Sequence, residues 1–184
     1  MLASASPRRA ELLQAAGFAF DVRPVDVDER RRGEEPAAEY VARIAGAKAD
    51  AAAATSASHI VIAADTAVSV DGDVFGKPDD AAMAARMLRT LSGRAHEVMT
   101  GVVVTAGARR AAFVEVTRVW FKPLSDAEIA WYVATGEPMD KAGAYAAQGL
   151  ASRFIPRIEG SYTNVVGLPV ARLSELLGDL TAGG

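Results

Sequence analysis

Apolar and polar positions follow two different periods along this chain, and their alternation predicts an ordered series of helices and strands. Ser6-Pro7 marks a helix start, with serine as the N-cap and proline at the first helical position. Leu12, Leu13 and Ala16 form its expected buried face, and Gly17 its stop. Residues 18–25 read as a strand and 30–35 as a polar loop. Pro36 opens a long helix to about residue 54, with Tyr40, Val41, Ile44 and Ala47 on one face. Residues 60–64 are an unbroken apolar run, as in a central strand covered on both faces, ending at Asp65-Thr66. Strand character continues over 67–70, and Asp71-Gly72 is a two-residue hairpin turn.

Beyond the loop Gly76-Lys77-Pro78, Asp79 or Asp80 caps a helix with Met83, Met87, Leu88 and Leu91 inward, closed by Ser92-Gly93. Residues 98–105 and 111–121 read as two long antiparallel strands joined near Gly107. Ser125 and Glu128 have capping-box spacing, with Leu124 and Ile129 placed as the staple of a helix ending near residue 134. Residues 136–149 follow neither period. A short strand over 153–158, a turn at Gly160-Ser161 and a helix over 168–177 complete the series, with a frayed tail expected from Gly178. Interleaved helices and strands without repeats predict a mixed α/β fold.

Composition narrows the function classes. The 184 residues fit one domain spanning 1–184. With 51% apolar and 23% charged residues the chain can bury a core. A net charge of −3 argues against a general nucleic-acid surface. The absence of cysteine excludes disulfides, thiolate nucleophiles and Cys-ligated zinc. The two histidines, His59 and His96, share no ligand spacing and read as structural. No apolar run approaches the ~20 residues of a membrane helix, and the first residues lack a secretory pattern, so a cytoplasmic protein is expected. Four of the twenty basic residues are lysines, Lys48, Lys77, Lys122 and Lys141, which leaves sixteen arginines. In a chain so biased, lysine marks positions that need a compact ammonium.

Three places attract chemistry. Ser4-Ala5-Ser6-Pro7-Arg8-Arg9 puts hydroxyls and guanidiniums at a helix N-terminus, where free N–H groups attract anions. Arginine in a first turn opposes the helix dipole, which favours a phosphate site over a merely solvated turn. Asp65-Thr66 sits at the expected carboxyl end of a buried strand, where α/β proteins bind ligands. The third is Glu137-Pro138-Met139-Asp140-Lys141-Ala142-Gly143-Ala144-Tyr145, an irregular, charge-bearing loop followed by Gln148. The glycines at 72 and 76 lack the spacing of a phosphate-binding loop, although Lys77 still offers a point charge. Arg30-Arg31-Arg32 reads as a solvated face.

These segments, with Leu2-Ala3 before the first and Leu91-Ser92-Gly93, Gly160-Ser161-Tyr162 and Gly167-Leu168-Pro169 beside the others, resemble the Maf family of nucleoside triphosphate pyrophosphatases. They stand in the family's order and span nearly the whole chain. The resemblance implies an inosine triphosphate pyrophosphatase-like fold, a long curved mixed sheet with helices in two lobes around a nucleotide cleft. It implies hydrolysis between the α- and β-phosphates with a divalent metal, Mg²⁺ or Mn²⁺, and a homodimer. Arg8, Thr66 and Gln148 match the arm acting on dTTP and UTP, extending to modified pyrimidine triphosphates. The arm acting on 7-methyl-GTP carries Trp, Gln and Glu there. Ala146-Ala147 departs from the usual Gly-Ile before that glutamine, and the first strand begins almost at Met1.

Carried residue by residue, the resemblance makes Asp65 the proton acceptor, the alternative being that it holds a metal-bound water, with Lys48 and Lys77 catalytic beside it. Ser6, Arg8, Arg9, Thr66, Lys141 and Gln148 would bind substrate, and Glu29 and Asp140 would ligate the metal. The alternatives are a non-catalytic nucleotide-binding regulator of septum formation and a 7-methyl-GTP pyrophosphatase.

Overall fold

In the computed structural model, which describes residues 1–54 and 60–182, five antiparallel strands form one sheet in the order β2-β1-β3-β4-β5. They are β1 (Ile60–Val70), β2 (Asp73–Phe75), β3 (Ala95–Ala106), β4 (Arg109–Trp120) and β5 (Arg157–Glu159). The helices are α1 (Pro7–Ala15), α2 (Ala37–Ala53), α3 (Ala81–Leu91), α4 (Asp126–Ala134), α5 (Tyr162–Val166) and α6 (Val170–Ala182). Short 3₁₀ turns at Glu137–Asp140 and Ala142–Ala144 occupy the segment that follows neither period, and a third, Leu150–Phe154, comes directly after it. The expected parallel component of the sheet reduces to isolated bridges from Leu2 to Val22 and Ile62.

The chain's local signals account for most of these boundaries. Asp71 and Gly72 both take positive φ, as the expected β1–β2 hairpin turn requires. Asp80 caps α3 by accepting from the Met83 N–H, and the Ser125–Glu128 capping box starts α4.

The core falls into two lobes. One packs α3, α4 and the Phe154 turn against Val68, Val98 and Val119. The other covers both faces of the remaining sheet. Ala45, Ala49 and Ala52 of α2 lie on Val61, Ala63 and Val103, and Leu13, Leu168 and Leu173 lie on Ile62, Ala64 and Val102. Small residues let α2 approach closely: a Cβ on Gly101 of β3 would stand 2.5 Å from the Val41 carbonyl oxygen. That approach carries Lys48 to the sheet. On the edge away from β3, β1 is bridged by Leu2 at Ile62 and pairs with β2 from Val68 onward. Between those points, around Asp65 and Thr66, this edge has no strand partner among the described residues. The two lobes part at that gap.

Several expectations need correction. Strand β1 does not end at Asp65-Thr66 but runs on to Val70, so Asp65 is mid-strand in antiparallel pairing with Gly101. Its polarity reflects the open edge, not a strand terminus. Within 18–25 only Val22 pairs, because Leu2 alone is available as its partner. The strand expected over 153–158 is a 3₁₀ turn to Phe154 and then β5, which finds β4 over three residues only. Helix α5 was not expected, since five residues are too short to show a period. The final helix starts at Val170 and continues through Gly178 to Ala182, with Leu173, Leu176, Leu177 and Leu180 forming one helical stripe on the core. Ala16 is exposed, and Arg9 occupies the buried face with Leu13. Tyr40 and Ala47 are half-buried, the inward stripe of α2 being Val41, Ile44, Ala45, Lys48, Ala49 and Ala52. His59 lies outside the described residues.

Candidate active site

The parting of the lobes opens a cleft of about 680 Å³, and every residue expected at the site lines it. They arrive from several elements distant in sequence. Ser6, Arg8 and Arg9 come from the start of α1, Glu29 from the loop before α2, Lys48 from α2, and Asp65 and Thr66 from β1. Lys77 follows β2, and Asp140, Lys141 and Gln148 belong to the 3₁₀ segment. Helix α1 keeps its anion-binding end open, because Ser6 makes no side-chain capping bond of its own.

At the centre stands a charge triad whose lysine and aspartate are buried and whose glutamate is half-exposed. Lys48 Nζ donates to Asp65 Oδ1 at 2.8 Å and pairs with Glu29 Oε1 at 2.6 Å. Asp65 is 7% exposed. Burial pushes its carboxyl above the usual carboxylate range, against the pull of Lys48 and Arg9. An elevated, partly desolvated carboxylate is a stronger base than a solvated one. Tyr40 donates its hydroxyl to the Glu29 carbonyl oxygen at 3.0 Å, fixing the loop that carries Glu29. Burial raises the Tyr40 hydroxyl to about 12, so it stays a donor at neutral pH.

The facing wall is tied to α1. Arg8 donates to Asp140 Oδ2 at 2.9 Å and to the Asp140 carbonyl oxygen at 3.2 Å, and Lys141 Nζ also holds that carboxylate. Partial burial opposes ionisation of Asp140, but the hydrogen bonds from Lys141 and Arg8 win and bring it down to about 2. Gly143 takes a positive φ and lies so close to β1 that a Cβ would stand 2.7 Å from Val68 Cγ2. Its N–H donates to the Gly76 carbonyl oxygen, which draws the Lys77 and Lys141 loops together. Lys77 is exposed and makes no ion pair among the described residues. Gln148 is exposed on the rim.

Arg9, expected to bind substrate, lines the cleft but directs its donors inside the fold. It is 7% exposed, and its donors go to the Gly167 carbonyl, Ser4 Oγ, the Ala64 carbonyl and Thr66 Oγ1 at 2.8–3.1 Å. It acts as a strut between α1, β1 and the turn before α6. Glu137, also prominent in the sequence, accepts from Tyr132 Oη and the Leu150 N–H and so folds its own loop. Sequence reasoning missed Tyr145, Thr100, Asn164 and Arg30. Tyr145 lines the cleft and lies 2.8 Å from His96 Nε2. His96 is buried, which holds its pKa at about 4 and keeps the ring neutral. Arg30, one of three consecutive arginines, pairs with Asp28 and reaches the cleft rim. No local signal separates it from its neighbours. For Thr100 the signal was a polar side chain within a mostly apolar strand, and for Asn164 there was none.

Glu29 and Asp140, the expected metal ligands, are held by different cations. Among the described residues no group of three or more acidic or histidine side chains could hold a metal by itself. Mg²⁺ is commonly bound by one or two carboxylates completed by substrate phosphates. Glu29, paired with Lys48, and Asp140, paired with Arg8 and Lys141, each offer one such carboxylate to the cleft.

Fold and cleft together define a two-lobed mixed α/β protein built to hold a polyanion against a buried carboxylate. The chain belongs to the Maf family: the model described as Maf-like protein matches residues 1–180. It is 54% identical over 182 residues to a dTTP/UTP pyrophosphatase of Anaeromyxobacter sp. (strain Fw109-5), covering 96% of this chain and 87% of that one. It is 52% identical over 180 residues to a dTTP/UTP pyrophosphatase of Citrifermentans bemidjiense, covering 96% and 93%. A dTTP/UTP pyrophosphatase of Vibrio vulnificus is 50% identical over 178 residues, covering 96% of each chain. No helix of the described residues is long and apolar enough to cross a membrane.

Proposed function

We infer that this chain is a nucleoside triphosphate pyrophosphatase that hydrolyses dTTP and UTP to the monophosphate and pyrophosphate. The observation that carries this reading is the Asp65–Lys48–Glu29 triad set in one cleft with Arg8, Lys77 and Lys141. A polyphosphate brings dense negative charge, and these cations neutralise it where the reaction occurs. Lys77 and Lys141 hold the phosphates from one wall, and Arg8 with the open end of α1 holds them from the other.

Asp65 Oδ1 is fixed by Lys48, and Oδ2 is left to accept a proton from the attacking water. The water oxygen bonds to the α-phosphorus, its proton passes to Asp65, and the bond to the bridging oxygen breaks. Pyrophosphate leaves with that electron pair. A divalent cation, Mg²⁺ or Mn²⁺, held by Glu29 with the substrate's own phosphates would stabilise charge on the phosphate oxygens. Asp140 acts here by anchoring Arg8 and Lys141.

Thr66 and Gln148 read the base, a role supported by their both lining the cleft. A uracil or thymine edge presents acceptor, donor and acceptor, whereas cytosine reverses two of these. UTP and dTTP should therefore be cleaved at least about tenfold more efficiently than CTP, the cost of one mismatched hydrogen bond. A panel of natural triphosphates read by kcat/KM checks this, and comparable turnover of all three contradicts it. The chain works as one domain and acts on free nucleotides in the cytoplasm as a homodimer, a reading supported by the family membership and the net negative charge.

A further inference from the structure

Thr66 is joined to a line of hydrogen bonds that leads away from the cleft. Its cross-strand partner in the β1–β3 register is Thr100, whose side chain is fully buried. Arg9 Nη2 lies 3.0 Å from Thr66 Oγ1, and a guanidinium can only donate. Thr66 Oγ1 lies 2.9 Å from Thr100 Oγ1, and Thr100 Oγ1 lies 3.4 Å from the Asn164 carbonyl oxygen. Asn164 is itself pinned, its Nδ2 donating to the Val98 carbonyl and to Thr117 Oγ1 at 3.0 and 2.9 Å. A hydroxyl has one proton and two lone pairs. Arg9 donates in, and the Thr66–Thr100 bond, which either hydroxyl can donate, runs from Thr66 to Thr100 when Thr100 passes its own proton on to Asn164. One lone pair of Thr66 is left for the cleft.

We propose that Thr100 is a positioning residue for base selection, holding the Thr66 hydroxyl as an acceptor that suits the imino N–H of uracil or thymine and opposes the N3 lone pair of cytosine. This rests on the reading of Thr66 as a base contact and supplies the reason for its polarity. Without Thr100 the Thr66 proton has only the Gly167 carbonyl oxygen, 3.4 Å away and already bonded to Arg9 at 2.8 Å. With that shared oxygen in place of Thr100, the proton can turn to a ligand acceptor instead.

The test compares kcat and KM for UTP and CTP in the wild type, Thr100→Val and Thr100→Ser. Thr100→Val should lower the UTP-over-CTP ratio about tenfold, through KM and with kcat on UTP kept, and Thr100→Ser should restore it. An unchanged ratio in Thr100→Val, or an equal loss on both substrates, overturns the proposal. A wild type that does not prefer UTP overturns the base-reading assignment beneath it. Should Thr100→Val fail to fold, 3-methyluridine triphosphate with the wild type decides. It lacks the imino proton and should be used as poorly as CTP, and turnover equal to that of UTP contradicts the proposal.

Discussion

Asp65→Asn should lower pyrophosphate release from UTP by about 10²–10⁴-fold, the usual worth of a positioned general base, while nucleotide binding is retained. The amide keeps the size of the carboxyl and an oxygen for Lys48, so the cleft and its cations persist. Turnover is the readout for the first half of this statement, and calorimetric titration with UTP for the second. A variant with near-wild-type kcat would remove Asp65 from the reaction. The pH dependence gives an independent check. Burial raises the Asp65 pKa, so the active, ionised form disappears as pH falls through a value above the ~3.9 of a free carboxyl. The acid limb of kcat/KM should lie above that value in the wild type and be lost in Asp65→Asn.

Replacing Lys48 with Met should be the most destabilising single change in the cleft, at about 3 kcal/mol. Breaking a buried pair leaves an uncompensated charge, and Asp65 is the buried member whereas Glu29 is half-exposed. The variant should also be inactive. With Lys48 gone, nothing of comparable strength opposes the desolvation of Asp65, and its pKa rises further. A group whose folded pKa is raised stabilises below its unfolded value, and that contribution is lost as pH rises through the folded value. Lys48→Met should therefore melt higher in acid and lose stability towards neutral pH. The double variant Lys48→Met/Asp65→Asn should recover much of the loss, since the unpaired charge is then absent. Thermal melts across pH measure each part, and a pH-independent loss with no recovery contradicts the pairing.

The two effects have one physical origin. Lys48 keeps Asp65 ionised in a desolvated place, and the desolvation is what makes the carboxylate reactive. The fold achieves this by bringing an alanine-rich helix against β3 at Gly101 and by leaving the β1 edge unpaired at that height.

Much of the arrangement is legible along the chain. The β1–β2 turn, the caps of α3 and α4, and the β3–β4 hairpin follow from local signals at Asp71-Gly72, Asp80, Ser125-Glu128 and Gly107. The site residues were legible as motifs in a familiar order, not as geometry. What escaped depends on neighbours distant in sequence. Arg8 and Arg9 are adjacent, yet one helical step of about 100° sends Arg8 to Asp140 and Arg9 into the core. The pairing of Thr66 with Thr100 exists only once the strand register is set. Asn164 sits on a helix too short to carry a periodic signal. The mid-strand position of Asp65 follows from an edge gap that no single segment encodes.

The most direct measurement incubates the purified wild-type chain with UTP and Mg²⁺ in ¹⁸O-labelled water and identifies the products. Uridine monophosphate bearing one labelled oxygen, together with unlabelled pyrophosphate, is the expected outcome. Bound but unreacted UTP, or release of orthophosphate with uridine diphosphate, would contradict attack at the α-phosphorus in this cleft.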